Sequence, residues 1–237
     1  LEFNYADDWQ SSFLFTAEHN DETGKNDITE LMVYFEKGTN YIELEADLGR
    51  MADIIRRGYA AVAFVNAEVA LDWREKCFSS GVFSAWGPGP EPSDRKGSDW
   101  GAISAWAWGA SRVMDWMERE PSIDAKRVTV LGSSRLAKAA LLAGAFDDRF
   151  FAVVPNQTGG GGSPLLKRNY GENLSIFFRR ASSSWFLPSM KRYVADETKM
   201  PFDMHFLVAA VAPRHLLVEG WTEAHFDPRG EFLRVLR

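Results

Sequence analysis

The residues best suited to chemistry lie in one stretch, Val128-Thr129-Val130-Leu131-Gly132-Ser133-Ser134-Arg135-Leu136-Ala137-Lys138-Ala139-Ala140-Leu141. An apolar run meets Gly-x-Ser and passes directly into a helical pattern. A serine so placed reads as a nucleophile elbow, in which a strained turn between strand and helix pushes the hydroxyl out at the carboxyl edge of a sheet. Gly132 and Ser133 are the small residues it needs upstream. The usual pattern has Gly two positions after the Ser, where this chain has Leu136, and on this motif alone an ordinary turn fits as well. A serine nucleophile also needs a His base and a carboxylate to orient it, in the order Ser, acid, His for this type of elbow. The histidines are His19, His205, His215 and His225. The single cysteine, Cys77, makes no internal disulfide and reads as a packed or surface thiol.

The elements that must position Ser134 follow from hydrophobic periodicity. Short apolar runs at residues 13–15, 31–35, 60–65, 128–131, 151–154 and 216–218 read as buried strands. Helical patterns lie between them at residues 48–57, 100–117, 136–146 and 204–211. In the second, Trp100, Ile103, Trp106, Ala110, Val113 and Met117 form the stripe of a core-facing helix. Strands alternating with helices predict an α/β fold with a mainly parallel sheet. Two segments read as surface loops, Gly87 to Pro92 and Gly159 to Pro164. The four-glycine run, Gly159 to Gly162, lacks the Gly-Lys-Ser/Thr ending of a phosphate cradle and is expected to let the backbone pass close to another group.

Composition narrows the function further. The 237 residues, 46% hydrophobic and 25% charged, fit a globular chain with a substantial core, read as one domain over residues 1–237. With 27 Lys+Arg against 33 Asp+Glu the net charge is −6, which argues against nucleic acid as a partner. No apolar run approaches the roughly 20 residues that cross a bilayer, so no membrane partner is expected. Leu1 is not an initiator Met and no basic-then-apolar leader precedes the first strand, so any export signal is expected to have been removed or left out.

The elbow block, with Ala143-Gly144-Ala145-Phe146-Asp147-Asp148-Arg149-Phe150 after it, resembles the Gly-x-Ser-Arg-x-Gly-Lys region of the glucuronoyl esterases, carbohydrate esterase family 15. Further matches follow in order: Trp100 to Gly109, Gly159 to Gly162 with Lys167-Arg168 and Gly171-Glu172, Ser184-Trp185-Phe186, Pro201 to His205, Ala212-Pro213-Arg214, and Asp227 to Phe232. The resemblance implies an α/β-hydrolase three-layer sandwich. It implies hydrolysis of the ester between glucuronic acid on xylan and a lignin alcohol, with Ser134 as nucleophile. Arg135 would stabilise the oxyanion through its backbone N–H and its guanidinium. Lys138, one helical turn past Ser134, would hydrogen-bond sugar hydroxyls, and Glu172 and Trp185 would bind the uronate. A solvated lysine and a buried structural tryptophan are the readings of residue type alone.

The acid and the base depart from the family. In some members the acid stands 23 residues after the Ser, which here is the uncharged Gln157. Other bacterial members carry it just before Asp-Pro-Arg-Gly, and Glu223 is the choice there; Asp227, before Pro228, reads as a helix cap. The family's His lies well beyond Asp227 to Phe232, and none of the four histidines fits. His205 reads as a satisfied structural histidine in the Asp-x-His helix, and His225 could approach only by a rearranged loop. The last strand, the catalytic His and the final helix are therefore expected to be missing from this chain. Ala137 and Ser133 replace the family's usual Gly and its Cys or His. No metal or other cofactor is implied. The partner is a carbohydrate, the glucuronoxylan–lignin ester; the chain is expected to be monomeric, and secreted or periplasmic. A catalytically inactive uronate-binding relative and an acetyl esterase on the same fold stay open.

Overall fold

The computed structural model describes residues 10–12, 15–20, 25–31, 34–35, 54–72, 76–87, 89–168, 171–179 and 184–219, which belong to two compact units, residues 1–65 and 66–237. In the first unit β1 (Gln10–Ser12) pairs antiparallel with β4 (Tyr34–Phe35), and β2 (Phe15–Asn20) pairs antiparallel with β3 (Lys25–Leu31). His19 stands opposite Asn26 in the second pair. Residues 54–56 are helical; residues 48–53 of the expected helix lie outside the described residues.

Ala60 to Val65, expected as a buried strand, is not one. It has no strand pairing among the described residues, and Val62 and Phe64 are exposed. Apolar composition makes a segment eligible for a buried strand, but a ladder also needs a partner, and no described strand supplies it.

The second unit holds a three-stranded parallel sheet in the order β5 (Thr129–Ser133), β6 (Ala152–Asn156), β7 (His215–Leu216). Thr129 to Ser133 run in register with Ala152 to Asn156, and Ala152 lies beside His215. Its helices are α1 (Asn66–Val69), α2 (Gly81–Trp86), α3 (Ala102–Met117), α4 (Arg135–Phe146), α5 (Leu174–Arg179) and α6 (His205–Val211). Helix α3 starts two residues later than periodicity suggests because Gly101 is its extended N-cap. Its apolar stripe faces the core as expected: Ile103, Trp106 and Met117 are buried. The Trp106 indole N–H donates to the Ala70 carbonyl at 2.8 Å, so this large side chain brings no unpaired polar atom inside.

Helix α4 carries the elbow and packs against α3, β5, β6 and α6 at once. Its small residues permit this. At Gly144 an added Cβ would stand 2.3 Å from Val153 Cγ2, so only glycine lets the helix lie this close to the sheet. Two arginines tie its far end. Arg149 reaches Asp115 and Glu118 at 2.8 Å and Asp147 at 2.7 Å, linking the chain after α4 to α3. Arg214 donates to the carbonyls of Gly144, Asp147, Phe150 and Ala210, placing positive charge where α4 and α6 end and carbonyls lack helical partners.

The glycine run corrects a second expectation. Gly159 to Pro164 was expected on the surface and is buried. Burial is tolerated because the loop's polar groups are paired: Thr158 Oγ1 and Ser163 Oγ lie 2.8 Å apart, the Ser163 N–H donates to Thr158 Oγ1, and the Gly162 N–H donates to the Gly159 carbonyl. The close approach inferred for this run is present, since a Cβ on Gly160 would stand 2.5 Å from the Glu172 carbonyl oxygen.

Two outcomes follow from these contacts. Cys77 is buried, and desolvation pushes its thiol up to about 12, so it stays protonated at neutral pH. A disulfide-exchange reagent at pH 8 is expected to titrate no thiol in the native protein and one per chain, at Cys77, in denaturant. The hydrogen bond from Arg149 holds the Asp147 carboxyl down at about 2. A carboxyl lowered in the fold adds stability above its unfolded value near 4 and loses it as pH falls toward 2, here on the order of 2 kcal/mol. Asp147→Asn is expected to lower the Tm at pH 7 and to flatten its fall between pH 4 and 2, measured by thermal unfolding across that range.

Candidate active site

Strand β5 ends at Ser133 and α4 begins at Arg135, so Ser134 alone makes the reversal, with φ 55° and ψ −122°. Residues with a Cβ rarely adopt positive φ, and such strain persists only where surroundings enforce it. Here the Ser134 N–H donates to the Asn156 carbonyl at 3.0 Å, and the Ser134 carbonyl accepts from the Ala137 and Lys138 N–H groups. Gly132 completes the turn: a Cβ there would stand 2.4 Å from the Leu136 carbonyl oxygen. The requirement for glycine therefore falls upstream of the serine, and Leu136 does not obstruct the turn. Ser134 is exposed at the carboxyl end of β5, as the elbow reading requires.

Arg135 turns its guanidinium to Asp72, with Nε 2.7 Å from Asp72 Oδ2, and remains 43% exposed. The other carboxylate oxygen, Asp72 Oδ1, accepts the Trp185 indole N–H at 2.6 Å. The indole N–H is thus already engaged, and the half-buried ring offers its faces. The Trp185 backbone is held as well. Its carbonyl accepts the Ile103 N–H at the start of α3, and a Cβ on Gly101 would stand 2.2 Å from that carbonyl oxygen.

Lys138 is not a solvated lysine. Its side chain is 4% exposed, and its ammonium donates to the Thr158 carbonyl. The same ammonium lies 5.4 Å from the Phe177 ring centroid and 5.7 Å from that of Trp185, within cation–π range. Glu172 is half-buried, and its Oε2 accepts the Gly160 N–H at 3.2 Å. Ser134 thus caps α4, whose first turn carries Arg135 and Lys138, and contacts through Asp72 and the Lys138 ammonium bring Trp185 to them. Glu172 is tied to the glycine loop.

Glu223 lies outside the described residues, with His225 and Asp227. Gln157, in the alternative acid position, has φ 56° and donates its backbone N–H to the Glu219 carbonyl at 2.7 Å. His205, expected as a satisfied structural histidine, is instead exposed at the start of α6 against Phe206. The anchor of that motif is Asp203, 3% exposed, whose carboxylate accepts the N–H groups of Leu166, Lys167 and Met204. His215 is exposed in β7 beside Phe151. Sequence reasoning missed Asp72, a lone acid far from Arg135 along the chain with no motif around it. Among the described residues, no three of His, Cys, Asp and Glu are grouped to hold a metal, and no helix is long and apolar enough to cross a membrane.

A sequence model of the family described as "Glucuronyl esterase, fungi" matches residues 22–233. The chain belongs to the glucuronoyl esterase family. It is 38% identical over 183 residues to carbohydrate esterase MZ0003 from an unknown prokaryotic organism, an overlap of 76% of this chain and 41% of that protein. A solved glucuronoyl esterase from Solibacter usitatus superposes with a TM-score of 0.72 at 33% identity, over 92% of this chain and 53% of that one. A glucuronoyl esterase from Sporotrichum thermophile, solved as a Ser-to-Ala variant with methyl 4-O-methyl-β-D-glucopyranuronate, superposes with a TM-score of 0.59 at 25% identity, over 71% of this chain and 46% of that one. The chain thus spans about half the length of these relatives or less. Family and superposition together make the fold an α/β-hydrolase, and the parallel β5–β6–β7 sheet, with α4 leading from β5 to β6, is its described part in the second unit.

The geometry at Gly132 sets an expected outcome for this family member. Gly132→Ala forces a methyl group against the Leu136 carbonyl and should destabilise the chain by about 2–4 kcal/mol. Ala137→Gly opens no clash and should cost less, about 1–2 kcal/mol from helix propensity and the loss of a buried methyl. Thermal unfolding of the two variants side by side checks both.

Proposed function

We propose that this chain belongs to a serine esterase that cleaves the ester between (4-O-methyl-)glucuronic acid of glucuronoxylan and lignin alcohols. The observation that carries this reading is Ser134, exposed in a strained turn, with Arg135 next to it and a buried ammonium and an indole alongside. The relative solved with a methyl glucopyranuronate ester supports the acidic-sugar side of the substrate.

In this reading a general base takes the Ser134 hydroxyl proton while Oγ attacks the ester carbonyl. The tetrahedral oxyanion is met by the Arg135 backbone N–H and guanidinium, donors aimed where charge develops. Collapse expels the alcohol, which takes a proton from the base, and leaves the uronoyl group on Ser134. Water, deprotonated by the same base, then frees the acid and regenerates the serine. Glu223 is the carboxylate assigned to orient the base. Lys138, Glu172 and Trp185 bind the uronate, with Trp185 contributing its ring. We further propose a monomer, one domain over residues 1–237, working outside the cytoplasm, secreted or periplasmic, where plant cell-wall polymer is met.

The test is acid release from benzyl and methyl esters of glucuronic acid by the full-length protein. Ser134→Ala is expected to lower turnover by at least about 1,000-fold with the Tm unchanged. Equal rates for the two proteins, or faster release from acetylated xylan than from the glucuronate esters, would overturn the assignment.

A further inference from the structure

Asp72 lies two residues past Ala70, whose carbonyl is pinned by the buried Trp106 indole of α3. Its carboxylate is only 10% exposed, and its two oxygens serve two different groups: Oδ2 meets Arg135 Nε at 2.7 Å and Oδ1 meets Trp185 Nε1 at 2.6 Å. Both contacts are short: the first is an ion pair, and the second is a hydrogen bond to a charged acceptor, the class that fixes orientation most strongly. Arg135 is 43% exposed beside the elbow, and the half-buried Trp185 ring also packs against Phe177 and Phe186. Trp185 is held at its backbone by the start of α3 and at its ring nitrogen by Asp72, and Asp72 follows a segment anchored on the same helix.

We propose that Asp72 is a positioning residue for the esterase reaction: it locks the Arg135 guanidinium at the elbow and sets the plane of Trp185 with one carboxylate. This rests on the reading of Ser134 and Arg135 given above. Asp72 touches neither substrate nor reacting atoms in this scheme. It reduces the reorganisation needed when negative charge appears on the ester oxygen, so its loss falls on kcat more than on KM.

Two measurements test it on the full-length protein. In the first, Asp72→Asn, Arg135→Ala and the double variant are assayed on benzyl glucuronate. Asp72→Asn should lower kcat on the order of 10- to 100-fold with a smaller rise in KM through Trp185, and should add little to the loss of kcat once Arg135 is gone. Multiplicative losses in the double variant, or a loss confined to KM, overturn the proposal. The second needs no turnover. The Trp185 indole N–H resonance, assigned by its disappearance in Trp185→Phe, should lie downfield and exchange slowly in the wild type and move upfield in Asp72→Asn. An unmoved resonance overturns the bridge itself. A wild type inert on every ester, with that resonance in place and responsive, overturns the esterase reading and with it the catalytic consequence assigned to Asp72, which separates the two failures. If Asp72→Asn does not fold, Asp72→Glu takes its place. It keeps the charge but displaces the carboxylate by one methylene, and should keep a perturbed indole resonance with an intermediate kcat; wild-type kcat in that variant overturns the proposal.

Discussion

The second unit is organised around a reversal made by a single residue. Because β5 runs to Ser133 and α4 starts at Arg135, Ser134 must take a backbone conformation that no neighbour can share. That strain is balanced by a hydrogen bond to the end of β6, by carbonyl contacts inside the first helical turn, and by a missing side chain at Gly132. Each contact requires α4 to sit tightly on the sheet. The helix can do so because most of its buried residues are alanine or glycine, with Gly144 against Val153, and because Arg149 and Arg214 hold its far end to the elements around it.

Helix α3 is the second fixed body. It buries Trp106, anchors Ala70, and presents its first turn to the Trp185 carbonyl. The groups beside Ser134 are therefore referenced to two helices that pack against each other, with Asp72 as the polar link between them. A buried ammonium at Lys138 fits the same arrangement. A backbone carbonyl and two aromatic faces are among the groups that stabilise its charge near the site.

Local signals were dependable where one stretch of chain decides its own geometry. The strand, turn and helix around Ser134 were legible because an apolar run, two small residues and an alanine-rich pattern agree with one another. The stripe of α3 was legible for the same reason. Ala60 to Val65 misled because an apolar run says nothing about who will pair with it. The glycine loop misled because turn composition usually means surface, yet here its polar groups find partners in Glu172, Thr158 and Ser163. Asp203, and not His205, anchors its motif for a similar reason: three backbone N–H groups converge on the carboxylate, and none of that convergence is written in the local sequence.

By itself the sequence pointed to the strand, turn and helix around Ser134 and to the family, and it singled out Ser134, Arg135 and Lys138 as candidates, since these depend on residue type and spacing within a few turns of chain. Only the tertiary structure decided that Lys138 is buried, that the Trp185 N–H is already committed, and that Asp72 joins Trp185 to Arg135. Those facts depend on which distant segments meet, and a hydrogen-bond partner far along the chain leaves no periodicity or motif by which to find it.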